Sequence, residues 1–345
     1  MWQTIGQTKA VAVLESGLNT GNLAHAYLLV GPEHVGKTTL ALDLARALNC
    51  QGEKPPCDQC QSCVRIASGK HADIMLINLD TAEGAKESKT RVEISIDNIR
   101  ELQKSASLPP YEGKYKIFII DGAEYLSNEA ANCLLKTLEE PPPRVLILLL
   151  TADESQLLPT VISRCQRIEL TPVSFEDIEE MLSHSVGTEG DRARLLSRLS
   201  RGCPGWAIVT VADDAYLTER AERLARTSSL LNEDWGQRLL YVSQLRPDRK
   251  SAQNLMSFWL DWWHDVMLTK CSCRQAVTNV DQIPTLEKWA QALSLFDIKD
   301  FINNLQKSQT QITANANPRL ILECLMLDMP IKPLMKKNDT THNAH

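Results

Sequence analysis

The segment GPEHVGKT, residues 31–38, carries two glycines, a lysine and a hydroxyl at the spacing of a phosphate-binding loop. Gly31 and Gly36 permit backbone angles that a side chain would forbid. The loop N–H groups and the N-terminus of the following helix then face an anion. Gly31, Pro32, Glu33, His34, Val35, Gly36, Lys37, Thr38 and Thr39 are therefore the candidate nucleotide contacts. Lys37 would reach the β- and γ-phosphates, and the Thr38 hydroxyl would ligate Mg²⁺. Such a site also needs a carboxylate at a strand end to hold Mg²⁺ through water. Asp121, which closes the apolar run KIFIID, supplies it. Many ATPases place a water-polarising glutamate at the next position, where this chain has Gly122. Glu124, three residues beyond Asp121, substitutes only if a helical turn swings it toward the site. The expectation is nucleotide binding with weak or absent hydrolysis by this chain alone.

Cys50, Cys57, Cys60 and Cys63 follow a C-x6-C-x2-C-x2-C spacing. Four thiolates suit a closed tetrahedral Zn²⁺ site, and two overlapping C-x-x-C steps let a short loop wrap the ion. With four protein ligands no position stays open, so the metal would be structural. A redox C-x-x-C fits less well, because the two steps share Cys60 outside a thioredoxin-like unit. Cys271 and Cys273 form a lone C-x-C and read as free thiols, and the seven histidines show no metal spacing. Trp259, Trp262 and Trp263 share one helical face and read as core or subunit interface, without basic surroundings for base stacking.

These residues need a frame. Residues 26–30, 73–78, 116–121, 145–151 and 167–170 read as strands. Helices are predicted over 97–105, capped by Asp97, over 127–140, ended by Pro141, Pro142 and Pro143, and over 156–165. Apolar runs alternating with amphipathic helices indicate a parallel sheet covered on both faces. Short helices follow at 175–183, 193–201 and 206–212. Longer ones follow at 235–244, 252–269, 285–295, 297–308 and 318–329, as in a bundle. Residues 81–90 read as an exposed polar loop. The expected domains are 1–171, with the cysteine insert at 50–63, a small helical domain at 172–226, an all-helical domain at 227–330, and a disordered tail at 331–345. A net charge of −6 argues against a generally basic nucleic-acid coat and leaves room for a local basic face. The N-terminus has no signal-peptide apolar stretch, and no apolar run reaches membrane-spanning length. With ten cysteines, this points to a reducing cytoplasm.

LLKTLEEPP (134–142), the triplet Ser163-Arg164-Cys165, the phosphate loop and the cysteine insert together resemble the bacterial clamp-loader ATPases of the AAA+ class over about residues 1–210. NANPRLILECLML (315–327) is similar to the last, oligomerising domain of the same family. The resemblance implies an α/β fold: an AAA+ P-loop domain with a five-stranded parallel sheet, a small helical lid and a C-terminal all-α collar. It implies ATP with Mg²⁺ at the loop and Zn²⁺ at the four cysteines. It also implies that Arg164 acts as a finger on the γ-phosphate of a neighbouring subunit. Guanidinium suits that role because it is planar and always charged. Thr151 takes the family's sensor position, with a strand-capping threonine as the equal alternative. Ile5, in the triplet IGQ, matches the base-contacting stretch, with plain core packing as the alternative. The region around Gly205 and Trp206 has no second sensor arginine, and Arg201 is offset from that place.

Within the family, Asp121-Gly122, PGWAI and NANPRL resemble delta-prime subunits more than gamma/tau motor subunits. The implied partners are gamma/tau and delta subunits in a hetero-oligomer, a sliding clamp, and primer-template DNA held through its backbone. A gamma/tau motor subunit and an autonomous AAA+ DNA-transaction ATPase are the alternatives.

Overall fold

Every residue of β1 (Ala26–Val30) and of β4 (Val145–Thr151) is buried, as are the first five of β3 (Lys116–Asp121). Such unbroken runs belong to central strands covered on both faces. β2 (Ile74–Ile77) and β5 (Gln166–Glu169) flank them in a five-stranded sheet of order β2-β3-β4-β1-β5, and every pairing is parallel. The computed structural model describes residues 2–79, 93–188 and 190–330. The predicted polar loop at 81–90 and tail at 331–345 lie outside the described residues. The described residues fall into two compact units that divide between Val209 and Thr210.

Alternate residues of each strand serve the two faces. Tyr27, Leu29, Ile117, Ile119, Leu146 and Leu148 pack with Leu14 of α1 (Thr8–Thr20), with Leu40 and Leu44 of α2 (Lys37–Asn49), and with Ile66 of α3 (Gln61–Ala67). Leu28, Phe118, Ile120, Ile147 and Leu149 pack with Ile99 and Leu102 of α4 (Ile96–Ala106) and with Leu134 and Leu138 of α5 (Asn128–Glu139). The carboxyl ends of β1, β3 and β4 therefore meet on one edge. There Gly31 N–H donates to Thr151 O at 3.1 Å and Gly122 N–H to Leu150 O at 3.1 Å. Ligands of open parallel sheets bind at this edge.

The structure corrects several local expectations. Ser95, not Asp97, is the N-cap of α4; its backbone N–H donates to Asn98 Oδ1 at 3.2 Å, and Asp97 lies inside the first turn. Residues 156–165 do not form one helix. A 3₁₀ turn at Glu154–Gln156 precedes the four-residue α6 (Pro159–Ile162), which Pro159 opens. The first unit then continues through α7 (Phe175–Ser185), α8 (Gly190–Leu199) and most of α9 (Pro204–Val211).

The second unit is all helical: α10 (Asp214–Leu230), α11 (Trp235–Leu245), α12 (Arg249–Lys270), α13 (Ile283–Ala292), α14 (Leu295–Thr313) and α15 (Pro318–Asp328). The sequence reading passed over α10, whose apolar positions are sparse among its charges; it buries Leu224, Leu230 and the charged Arg220. Trp259, Trp262, Trp263 and Trp289 form the centre of this unit's core. Fully buried Arg238 donates to the carbonyls of Leu230 (2.8 Å), Met326 (3.3 Å), Met329 (2.7 Å) and Pro330 (3.2 Å). It satisfies carbonyls that helix ends leave without intrahelical partners. Buried Asp265 accepts the N–H groups of Thr278 and Asn279, and Arg220 binds Asn279 and Asp281.

Candidate functional site

The phosphate-type loop leaves β1 at Gly31 and enters α2 at Lys37. A Cβ on Gly31 would lie 2.6 Å from Leu170 O, so only glycine fits beside the end of β5. Gly36 holds φ +108°, a left-handed angle that L side chains rarely adopt. Lys37 is 8% exposed, and its Nζ donates to Gly31 O at 2.7 Å and Pro32 O at 2.8 Å. Burial pushes the Lys37 pKa down, against the attraction of Asp121, Glu124 and Glu33. Thr38 Oγ1 donates to Asp121 Oδ2 at 2.7 Å, so the two predicted Mg²⁺ ligands, far apart in sequence, are in contact.

A cleft of about 710 Å³ opens over this loop, within the size range of ligand pockets. Glu33, His34, Val35, Gly36, Lys37, Thr38 and Thr39 line it together with Asp121, Thr151 and Ile5. Gly31 and Pro32 contribute their carbonyls to Lys37 rather than to the lining. The Thr151 hydroxyl accepts from Asp153 N–H at 3.1 Å, a strand-end cap, while its residue also faces the cleft.

Gly122 adopts φ +82°, and a Cβ there would fall 2.7 Å from Tyr125 Cδ2. A glutamate at that position would meet both a strained backbone and an aromatic ring. The chain turns instead through a 3₁₀ segment, Ala123–Tyr125, which brings Glu124 to the cleft. Its Oε1 accepts from Ala152 N–H at 3.0 Å, and its Oε2 is buried without a hydrogen bond among the described residues.

Two further walls are built by residues that were not among the expected nucleotide contacts, although Gly205 lies in the region read for a second sensor. Gln3 and Thr4 join Ile5 on one wall. Pro204, Gly205 and Ile208 supply another, with Gly205 N–H donating to His34 O at 2.9 Å. A Cβ on Gly205 would lie 3.0 Å from that same oxygen, so α9 approaches the loop more closely than a larger residue would allow. The Pro-Gly pair at the start of a helix was the available signal. Arg201 does not line the cleft.

Arg164 does not line it either. It follows α6, with Nη2 on Glu139 Oε1 at 2.6 Å and Nη1 donating to Thr160 O at 3.0 Å; its side chain is 35% exposed.

The four predicted cysteines converge, with their Sγ atoms all within 4.8 Å of one another. Tetrahedral zinc with Zn–S bonds of about 2.3 Å needs sulfurs about 3.8 Å apart. Modest closure meets that requirement, so the donor set fits the ion. Backbone N–H groups already point at these sulfurs: Gly52 at Cys50, Cys60 at Cys57 and Cys63 at Cys60. N–H groups of Gln59 and Cys60 bring the Cys57 thiol down to about 6, whereas burial pushes Cys63 up to about 12. Neither Cys271 nor Cys273 joins a metal-type cluster among the described residues.

No helix of the described residues is long and apolar enough to cross a membrane. A family model described as "DNA polymerase III, delta subunit" matches residues 6–174, and one described as "DNA polymerase III, delta subunit, C terminal" matches residues 219–330. The chain is 37% identical over 221 residues to the DNA polymerase III subunit tau of Salmonella typhimurium, covering 63% of this chain and 32% of that one. It thus spans about a third of the length of the curated relatives that it matches first. It is 27% identical over 326 residues to the delta' subunit of Bacillus subtilis, covering 93% of this chain and 95% of the relative. Among solved structures, a DNA polymerase III gamma subunit-related protein of Thermotoga maritima aligns at TM-score 0.48 and 19% identity, over 91% of this chain and 97% of that one.

Proposed function

This chain belongs to the bacterial DNA polymerase III clamp-loader family, and from that premise we propose that it serves as a delta-prime-type subunit of the loader. It binds Mg-ATP in its own cleft and offers Arg164 to the nucleotide of a neighbouring subunit. The observation that supports this reading is the separation of two groups of residues. Lys37, Thr38 and Asp121 face the cleft, whereas Arg164 stands outside it, partly exposed. The near full-length match to a delta' subunit supports the same assignment.

In this reading the loop N–H groups and Lys37 hold the phosphates. Thr38 and Asp121 orient the metal's ligand sphere, and Thr151 lies at the γ-phosphate end. Ile5 borders the base. Mg²⁺ when bound neutralises phosphate charge. Gly122 leaves the attacking water without the usual carboxylate, so turnover by this chain alone is weak. The arginine finger instead stabilises transition-state charge in the neighbour. Cys50, Cys57, Cys60 and Cys63 hold a structural Zn²⁺. Residues 172–226 act as the lid-type domain and 227–330 as the oligomerising collar. The partners are gamma/tau and delta subunits, the sliding clamp and primer-template DNA, in the cytoplasm during replication. Contacts to DNA run through its phosphates and weaken with salt.

Glu124 favours a second reading, a motor subunit of the gamma/tau type, because it brings a carboxylate to the cleft from a different position. Purified protein with Mg-ATP separates the two. The delta-prime reading expects nucleotide binding, little turnover alone, and strong ATPase only in the assembly. Turnover by the isolated chain that Lys37→Ala abolishes and partner subunits leave unchanged would overturn it.

A further inference from the structure

The cysteine insert and the nucleotide cleft are separate sites, yet one file of ions, buried at Asp43 and Arg46 and half-buried at Asp58, joins them. Asp43 lies on α2, two turns beyond Lys37, and is fully buried. Its Oδ2 accepts three hydrogen bonds from the N-terminal segment: Gln3 N–H at 2.8 Å, Thr4 N–H at 2.8 Å and Thr4 Oγ1 at 2.7 Å. Its Oδ1 is taken by Nη2 of Arg46, which is 2% exposed. Arg46 Nη1 donates to Asp58 Oδ1 at 2.6 Å. Asp58 sits in the cysteine loop between Cys57 and Cys60, in a left-handed conformation at φ +59°.

We infer that metal occupancy of the cysteine loop sets the order of the N-terminal wall of the nucleotide cleft, through Asp58, Arg46 and Asp43. The inference rests on the zinc and nucleotide readings of the two sites. The geometry supplies the reason. A closed metal loop holds the Asp58 carboxylate at a fixed place on Arg46. With Asp58 engaged, the guanidinium is divided between two carboxylates and takes one oxygen of Asp43. The other oxygen stays free to gather Gln3 and Thr4. If the loop opens, Nη1 loses its partner inside a buried site, where an unmade hydrogen bond is costly. Asp43 Oδ2 is another carboxylate oxygen in the same ion group, and two-point capture of a carboxylate is the preferred arginine geometry. That capture competes directly with the N–H groups of Gln3 and Thr4. Both residues and Ile5 line the cleft. Asp43, Arg46 and Asp58 are thus positioning residues. They touch no nucleotide, and they act through the segment that does.

The test uses the full chain and reads hydrogen exchange in a peptide covering residues 1–10, with nucleotide affinity measured in parallel. Removing zinc from the wild type with a chelator under reducing conditions should speed exchange at the Gln3 and Thr4 amides. It should also weaken ATP binding about fivefold or more, the lower end of common site-to-site coupling. Asp58→Asn tolerates the left-handed backbone and leaves Arg46 Nη1 only a neutral amide oxygen, about half as strong a partner as a carboxylate, so that Asp43 becomes the preferred partner for the guanidinium. With zinc bound at full stoichiometry, it should show the fast exchange already, and zinc removal should then add nothing. Reciprocity requires ATP to slow zinc release from the wild type and not from Asp58→Asn. If Asp58→Asn fails to retain zinc, Asp43→Asn replaces it, with the same expected insensitivity to the metal. Unchanged exchange on zinc removal, or an Asp58→Asn protein that still responds to zinc as the wild type does, overturns the inference. Exchange that follows zinc in a protein that binds no ATP supports the ion file and overturns the nucleotide reading.

Discussion

Replacing Arg164 by alanine separates a trans-acting residue from a structural one, because the two roles differ by orders of magnitude. Within its own chain Arg164 makes a partly exposed ion pair, at 2.6 Å to a Glu139 side chain that is itself 51% exposed. Pairs of this kind contribute about 0.2–1 kcal/mol. For a unit of this size that corresponds to a melting shift of roughly 2–4 °C at most. A finger that stabilises transition-state charge in a neighbour is worth about 10³–10⁵ in rate, or about 4–7 kcal/mol of barrier. Arg164→Ala should therefore melt almost as the wild type does and enter the loader normally. DNA- and clamp-stimulated ATPase of that loader, reconstituted with gamma/tau and delta subunits of the same organism, should fall by about three orders of magnitude at the served site. Arg164→Lys keeps the charge and loses the planar fork, so it should recover little. Glu139→Gln removes the ion pair while Nη1 keeps Thr160 O, and it should leave the ATPase within about twofold, well below the finger's effect. The reasoning is refuted if Arg164→Ala leaves the assembled ATPase within a few-fold of wild type. It is equally refuted if the loss tracks a melting drop of many degrees.

Lys37→Ala removes a charge-assisted contact worth about 1.5–3 kcal/mol, so a fluorescent ATP analogue should bind about 10- to 100-fold more weakly; unchanged affinity would place the nucleotide elsewhere. Asp73 is buried and accepts N–H groups of Tyr111, Glu112 and Gly113 at 2.7, 2.8 and 2.7 Å. Burial alone would raise its pKa, but these three donors outweigh it and hold the carboxyl below the ordinary 3.8. A folded-state pKa below the unfolded one means that its stabilisation is complete above pH 3.8 and is lost as pH falls below it. Urea unfolding against pH should show this acid limb in the wild type and a weaker one in Asp73→Asn. Arg238→Met removes a donor from the buried carbonyls of Leu230, Met326 and Met329 and from the part-buried carbonyl of Pro330, leaves Leu230 O only the Glu233 N–H at 3.2 Å among the described residues, and should destabilise the helical unit by about 3 kcal/mol; a loss below about 1 kcal/mol in urea unfolding would show that those carbonyls find other partners.

How far the sequence could be read depended on the range of each interaction. The phosphate loop was legible because its constraints are local: glycines at fixed offsets, an apolar strand before and an amphipathic helix after. The three central strands were legible for a similar reason, since central parallel strands are continuous apolar runs, whereas the edge strands β2 and β5 are only partly buried. The cap of α4 was misplaced by two residues because both Ser95 and Asp97 are competent caps, and the choice lies in which backbone bends. Helix α10 escaped because its buried face includes Arg220, whose partners Asn279 and Asp281 lie about 60 residues away in the chain.

The resemblance carried by the triplet Ser163-Arg164-Cys165 pointed to Arg164 as a finger, whereas from composition and spacing alone came the phosphate loop, its carboxylate Asp121 and the four-cysteine set. Each is defined by residue types at short separations, which a linear chain displays directly. Only the tertiary structure decided that Thr38 touches Asp121, that Gly122 stands under the Tyr125 ring while Glu124 turns into the cleft, and that Asp43 gathers Gln3 and Thr4. Those contacts join residues up to 83 positions apart or turn on backbone angles. They exist only once the sheet has brought the strand ends together and burial has made every unpaired polar group costly.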